Sequence, residues 1–452
     1  MIHLGIENDI PMLMYILMYA TFFASVFWRP NLGIYFMVLG LPMQTARYKL
    51  FDLPLGSHFL DILLLGTILG VIVQQKPPVP KTPLTRFLLI FAVFCYLSLW
   101  TGSLFIHAPL PLWLSDERFS AWKNYVEMFL LAVVVARAIR EKKQVLIMLV
   151  LIAIATLLVN RSFYSTMSDR DTSHFSYDVR DAGLLGYAGV NGLAAFEGMV
   201  ATFLLGIYAY TKNKFAKIGI LLLVATCCYC LLFSFSRGGY IGFLVGVVAV
   251  GLFKARWLLV AVAIVVISWQ TLLPVSVRER INMTRGDAEE GQQFDSSAQE
   301  RIDLWRDAME LFKMNPLTGA GFQTYGYMER VGDFRDTHNY YLKVLAETGV
   351  VGVVLYLVLL WRLLQSGLSL FFRTDDPLWR GIAVGFIGLL VTVIVADIFG
   401  DRWTYQQVDG YLWVILGLVL RGSAGVEEKP EKIEADATEP AALKEEAELT
   451  AA

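Results

Sequence analysis

Charged side chains are scarce in this 452-residue sequence, which contains 17% Asp, Glu, Lys and Arg against 56% hydrophobic residues. Soluble domains carry about 25% charged residues, so the composition excludes an ordinary soluble protein. Apolar runs of about 17 to 25 residues recur along the chain, and each can cross a hydrocarbon core about 30 Å thick. Because the runs are continuous rather than alternating, they predict transmembrane helices.

Cysteine and histidine are also rare, with four and five residues respectively. All four cysteines lie inside apolar runs, which is typical of buried packing residues, and the histidines show no ligand spacing. The sequence has no phosphate-binding Walker motif and no dinucleotide fingerprint, which argues against an ATP-driven pump. We therefore expect no metal, no cofactor and no nucleic-acid partner.

The apolar runs predict an all-α, polytopic membrane protein with twelve or thirteen spans, and residues 1–421 form a single integral membrane domain in this interpretation. The first run has no basic start or clear cleavage site, so it is expected to be a retained span. The predicted spans are 10–28, 32–46, 59–75, 84–106, 120–138, 144–160, 189–210, 216–236, 239–253, 256–273, 340–364, 380–399 and 405–421.

Lys and Arg cluster in every second connection, which predicts that those connections are cytoplasmic. The two longest loops, 161–188 and 274–339, then face outward. Arg29-Pro30-Asn31 leaves two possibilities: thirteen spans put the N-terminus outside, and twelve put it inside. Residues 422–452 contain nine acidic residues against three lysines, which predicts a disordered acidic tail on the cytoplasmic side.

The large outward loop contains its own helical pattern. Ser297 and Glu300 have the spacing of a capping box, and an amphipathic helix is expected from there to about Met314. At 100° per residue, Arg301 lies near the centre of the apolar stripe, whereas Arg306 lies farther round. Arg301 is therefore predicted to point inward.

Three arginines stand at the outward ends of apolar runs. Arg237 lies in Ser236-Arg237-Gly238-Gly239, where it is either a snorkelling interfacial side chain or part of an anion site. Arg180 alone would be a solvated loop residue, but together with Arg237 and Arg301 it could complete a guanidinium cluster. Guanidinium groups bind phosphate oxygens well, so a lipid phosphate or pyrophosphate is the expected ligand.

His338 stands where the last long loop meets an apolar run. It is either a helix cap or packing residue, or a general base for an incoming hydroxyl. Asp336 could orient its imidazole ring. Glu347 is rotated about 180° from His338 on an ideal helix, so we do not expect the two to be direct partners.

Taken together, the motifs resemble the bacterial superfamily of O-antigen ligases and polymerases. The resemblance spans about residues 180 to 352. The first half of the chain is similar to the family only in being a series of predicted transmembrane helices. The motifs are Arg180 with Asn191, Ser236-Arg237-Gly238-Gly239, Arg301 with Trp305, Pro316-x-x-Gly319-x-Gly321, His338-Asn339-x-x-Leu342 and Glu347-x-Gly349-x-x-Gly352.

The resemblance implies a helical membrane fold of the GT-C type with a large, partly helical periplasmic loop, in the bacterial inner membrane. It further implies metal-independent transfer of a glycan from undecaprenyl pyrophosphate to a glycan, lipid A core or protein hydroxyl, in lipopolysaccharide or exopolysaccharide biosynthesis. Arg180, Arg237 and Arg301 would hold the pyrophosphate and His338 would activate the acceptor. Asn191, Trp305, Asn339 and Glu347 would support them.

Two other classes of protein remain open at this point. A transporter or flippase of an anionic lipid-linked substrate would use the same arginines only for binding, and a structural envelope factor would perform no chemistry. A transporter predicts charges near the membrane midplane in two matching halves, whereas a transferase predicts charges gathered at one face.

Overall fold

The protein is entirely helical in the residues that the computed structural model describes, which are 10–78, 82–283, 296–328, 330–331 and 336–425. The α-helices are α1 Ile10–Phe27, α2 Asn31–Gly40, α3 Gln44–Tyr48, α4 Phe59–Val73, α5 Pro83–Phe105, α6 Glu117–Ala138, α7 Lys142–Met167, α8 Gly189–Tyr210, α9 Lys214–Phe233, α10 Arg237–Phe253, α11 Trp257–Leu272, α12 Val275–Asn282, α13 Ser296–Met314, α14 Tyr340–Arg373, α15 Pro377–Ala396 and α16 406–425.

Twelve of the thirteen predicted spans each coincide with one helix, and the span predicted at 32–46 is divided between α2 and α3, so the all-α polytopic fold is confirmed. By length and composition, nine helices of the described chain could each cross a membrane, or ten if α11 and α12 form one bent span. The predicted count of twelve or thirteen also included α2 and α10, which are apolar but shorter. It also included α16, which continues to the last described residue, 425.

The centre of the bundle is formed by α8 packed against α10 and α15. Small residues permit the close approach: a Cβ on Gly206 would lie 2.3 Å from the Cα of Gly385, and one on Gly246 would lie 3.0 Å from the carbonyl oxygen of Gly388. Glycine at such interfaces lets helix backbones meet in a membrane. These contacts hold α8, α10 and α15 together, and the candidate site lies at one end of the three helices.

Two breaks in the helices shape the end of the bundle that carries the long loops. Pro274 separates α11 from α12, and the two helices meet at a bend of 101°. In α14 the helix is interrupted at Gly349, whose φ of 64° is left-handed. A Cβ on Gly349 would lie 2.3 Å from the carbonyl oxygen of Leu317, so only glycine lets the 316–321 loop pack against this break.

Helix α13 is amphipathic and ends at Met314, as predicted from the sequence. Its buried residues Ala308 and Leu311 pack with Ala346 of α14. The side chain of Ser297 lies outside the described residues, and so does the predicted capping box. Helix α13 therefore lies over the start of α14 and covers the loop that follows Asn315.

One ion pair shows that two of the connections share an end of the bundle. Lys142, in a predicted cytoplasmic connection, forms an ion pair with Asp376 in another. Most of the predicted tail, residues 426–452, lies outside the described residues; α16 continues four residues beyond its predicted end at 421. The ion pair thus puts these two connections at the same end, as the charge pattern predicts, and the sides of the other connections stay predictions.

Candidate functional site

Five arginines from five separate segments line one pocket at an end of the helical bundle: Arg180, Arg237, Arg280, Arg301 and Arg402. The three arginines selected from the sequence are therefore brought together, and two more join them. The free volume between the side chains is about 20 Å³, roughly the space of one water molecule. A larger anion can enter only if arginine side chains turn outward.

Arg180 follows the short 3₁₀ turn Tyr177–Val179, which directs its side chain into the pocket. Its Nη2 donates to Oδ1 of Asn191 at 3.1 Å, and its Nε donates to the carbonyl oxygen of Ser234 at 3.3 Å. Burial, and then the nearby charge of Arg280, lower the pKa of Arg180 to about 10. The cluster thus accumulates positive charge at a cost that a bound anion would relieve.

Arg237 is the first residue of α10, and Ser236 is its N-cap. Ser236 Oγ accepts from the backbone N–H of Gly239 at 3.4 Å and donates to Oδ1 of Asn191 at 2.8 Å. Asn191 therefore joins the Arg180 and Arg237 segments. A helix N-terminus favours an anion, so α10 adds its dipole to the guanidinium cluster.

Arg280 is a pocket residue that the sequence analysis missed. The bend at Pro274 directs α12 back toward the pocket, and Val277 packs with Phe235 and Val179. The guanidinium group of Arg280 lies 4.9 Å from the ring centroid of Phe175, within cation–π distance. The only sequence signal was an arginine in an outward loop.

Arg402, in the short connection between α15 and α16, was also missed. Its backbone N–H donates to Oδ1 of Asp397 at 2.9 Å, and its Nη1 donates to the carbonyl oxygen of Asp401 at 3.0 Å. These contacts hold a buried arginine against the pocket. An arginine directly after an apolar span was the available signal.

Arg301 lies on the inner face of α13 and lines the pocket, as the helical period predicted. Arg306 instead has a side chain that is 67% exposed and pairs with Asp303. Trp305, expected to support the site, is not among the residues described around the pocket. Its indole N–H is buried and, in the described part of the chain, has no hydrogen-bond acceptor.

His338 precedes α14 in a strained backbone conformation with a φ of 51°. A non-glycine residue in this region costs about 1 to 3 kcal/mol, and such residues cluster at active sites. The side chain is 37% exposed, and Nδ1 lies 3.6 Å from Oδ2 of Asp336. This separation is slightly longer than a hydrogen bond.

Asp336 connects His338 to the arginine pocket. Its Oδ2 accepts from the backbone N–H of Asp401 at 3.4 Å, one residue before Arg402. Burial alone would raise the pKa of Asp336, but His338, Lys343 and Arg402 outweigh burial and lower the pKa to about 2. An ionised Asp336 therefore contacts both His338 and the backbone next to Arg402, although neither His338 nor Asp336 is among the described residues that line the arginine pocket.

Asn339 and Glu347 each accept hydrogen bonds from backbone N–H groups, one at the start of α14 and the other in the preceding loop. Asn339 is the N-cap of α14, because its Oδ1 accepts from the backbone N–H of Leu342 at 3.1 Å. Glu347 accepts the backbone N–H groups of Gln323 and Tyr325 at 3.0 and 3.1 Å. The cap is thus Asn339 rather than His338, and Glu347 anchors the 316–325 loop, in keeping with the expectation that it is not paired with His338.

Residues 220–357 match the family model described as O-antigen ligase. The matched segment covers under half of the chain and contains Arg237, Arg301, His338 and Glu347, whereas Arg180, Asn191 and Arg402 lie outside it. No curated protein matches the chain. The family suggested by the sequence motifs is therefore confirmed for this segment.

Proposed function

We propose, from the O-antigen ligase domain of residues 220–357, that the protein transfers a glycan from undecaprenyl pyrophosphate to an acceptor hydroxyl. It acts at the periplasmic face of the inner membrane, as a polysaccharide polymerase or an O-antigen ligase. The observation that carries the proposal is the convergence of five arginines on one pocket that Asp336 links to His338.

The arginine pocket suits a pyrophosphate leaving group. When the bond between glycan C1 and the phosphate oxygen breaks, its electron pair passes to the pyrophosphate, and negative charge grows there in the transition state. Guanidinium groups clustered in a partly dehydrated site stabilise that charge. The donor is already activated and the arginines supply the positive charge, so the proposed reaction uses neither a metal nor a nucleotide.

His338 acts as the general base on the acceptor side. Asp336 faces Nδ1, which favours the tautomer with its proton on Nδ1 and leaves Nε2 to take the proton of the acceptor hydroxyl. The acceptor oxygen then forms the new bond to C1 as the pyrophosphate leaves. The 3.6 Å contact can tighten in the substrate complex, as catalytic hydrogen bonds commonly do.

The location of the arginines favours a transferase over a transporter. Arg237 begins α10, Arg180 precedes α8, and Arg402 lies between α15 and α16. The cluster therefore stands at helix ends rather than in the middle of broken helices, where transporters bind their substrates. The outward placement of this end rests on the distribution of Lys and Arg among the loops.

The decisive experiment compares His338→Ala with His107→Ala, a matched change at an exposed loop histidine. Both purified proteins are reconstituted in nanodiscs with lipid-linked donor and acceptor from the producing cells. We expect His338→Ala to reduce transfer at least about a hundredfold while it still binds undecaprenyl pyrophosphate, and His107→Ala to transfer normally. Unchanged transfer by His338→Ala would exclude the general-base role.

A further inference from the structure

A second, larger pocket opens beside Asp336. Its volume is about 560 Å³, within the range of about 300 to 1,000 Å³ that is typical of ligand sites. Arg402 lines the arginine pocket, and Thr404, two residues later, lines this second pocket. The 397–404 connection therefore contributes to both pockets, and the Asp336 carboxylate beside His338 faces the larger one.

The second pocket is rich in neutral hydrogen-bonding groups. Its amide side chains are Gln44, Asn124, Gln323, Gln406 and Gln407. Each amide both donates and accepts hydrogen bonds, as hydroxyl groups also do. Four aromatic rings, those of Phe51, Phe59, Tyr187 and Tyr405, also line it, and Tyr187 is 61% exposed. Amides beside exposed rings suit a ligand with many hydroxyls and flat C–H faces.

The basic side chains of this pocket already have partners. Lys123 contacts Asp61 and Glu127, and Lys343 donates to Asp401 at 2.8 Å. Arg47 donates through Nη2 to Gln44 and to the carbonyl oxygen of Leu41. Because these basic side chains are already paired, a neutral polar ligand fits this pocket better than an anion.

We infer that the second pocket is the acceptor site and that it binds the terminal sugar units of an acceptor glycan. The inference rests on the proposed function. Both substrates must reach His338, and the pyrophosphate of the donor occupies the arginine side of the 397–404 connection. A glycan in the second pocket lies on the other side of the 397–404 connection, where Asp336 lines the pocket, and presents a hydroxyl to His338 from there.

Acceptor binding can be measured without the donor. The probe is a set of fluorescently labelled oligosaccharides, released by mild acid from the surface glycans of the producing cells. Asn124→Ala and Asn124→Trp change the wall of the pocket at an exposed residue. We expect Asn124→Ala to bind the probe about tenfold more weakly and Asn124→Trp to abolish binding by filling the space. Gln365→Ala, which lies in a different surface pocket, is the matched amide control.

Transfer assays separate the acceptor site from the proposed function. We expect the Asn124 variants to raise the KM for the acceptor about tenfold and to leave the KM for the lipid-linked donor unchanged. Wild-type probe binding and acceptor KM in both variants would overturn the acceptor assignment, while loss of transfer in His338→Ala would still support the proposed function. If the enzyme glycosylates a serine- or threonine-containing peptide but not the oligosaccharides, the acceptor is a protein, and the inference of a glycan acceptor is overturned.

Discussion

The imidazole of His338 lies 3.6 Å from the carboxylate of Asp336, which is already ionised because its pKa is about 2. The carboxylate pKa is below its ordinary value, so the charge is lost only as the pH falls through about 2. Asp336 is therefore charged at every pH at which a membrane enzyme works, and its carboxylate is able to accept from the histidine throughout that range.

Arg301 and Arg306 provide a matched pair on one helix. Arg301→Gln removes a guanidinium group from the pocket, whereas Arg306→Gln makes the same change at a 67% exposed side chain. A charge-assisted hydrogen bond contributes about 1.5 to 3 kcal/mol. We expect Arg301→Gln to weaken binding of undecaprenyl pyrophosphate about ten- to hundredfold, measured by thermophoresis in nanodiscs. Equal effects of the two variants would show that binding depends on the net charge of the protein rather than on the position of Arg301.

Donor binding is expected to depend on pH at the alkaline end. Burial and Arg280 lower the pKa of Arg180 to about 10, so its positive charge is retained below about pH 9 and lost as the pH rises through about 10. We expect affinity for undecaprenyl pyrophosphate to be constant from pH 7 to about pH 9 and then to fall. In Arg280→Gln the fall should occur at higher pH, because one neighbouring positive charge is gone. A fall at the same pH in both proteins would contradict this assignment.

Lys343 and Asp401 form a buried ion pair at 2.8 Å behind the site. Lys343→Met leaves Asp401 buried without its cation, and such a loss costs about 3 to 5 kcal/mol. We expect a large drop in the midpoint of thermal unfolding in detergent. The double variant Lys343→Met/Asp401→Asn should recover part of it, and a double variant no better than the single one would argue against the pair as the cause.

Gly349 tests the packing of the 316–325 loop. Gly349→Ala places a Cβ 2.3 Å from the carbonyl oxygen of Leu317, at a left-handed φ of 64°. Gly219→Ala adds the same methyl group in α9, with nothing within 4 Å. We expect Gly349→Ala to destabilise the protein by more than about 1 kcal/mol and Gly219→Ala to be neutral or slightly stabilising. The midpoints of thermal unfolding are compared. Equal midpoints would mean that the 316–325 loop accommodates the methyl group without loss of stability.

Much of the fold could be predicted because each membrane helix satisfies its own backbone and is encoded by a local run of apolar residues. The end of α13 at Met314 and the inward face of Arg301 followed from the helical period in the same way. Whether the short helices α2 and α10 cross the membrane was harder to predict. Helix α2 ends at Gly40, six residues before the predicted end at 46.

The arginine pocket was only partly predictable. Arg180, Arg237 and Arg301 were identified from their outward position and motifs, but Arg280 reaches the pocket through a 101° bend at Pro274, and Arg402 reaches it through contacts with Asp397 and Asp401. Pro274 marks where the helix breaks but not the direction in which α12 turns, and the contacts of Arg402 leave no periodic signal in the sequence.

The sequence by itself determined a helical membrane protein and indicated residue types suited to binding an anion or moving a proton, because these properties are local. Only the tertiary structure decided that five arginines from five segments converge, and that Asp336 joins them to His338. It also decided that a second pocket of amides and aromatic rings lies beside that carboxylate. Such convergence depends on how helices separated in sequence pack together, and no single segment encodes it.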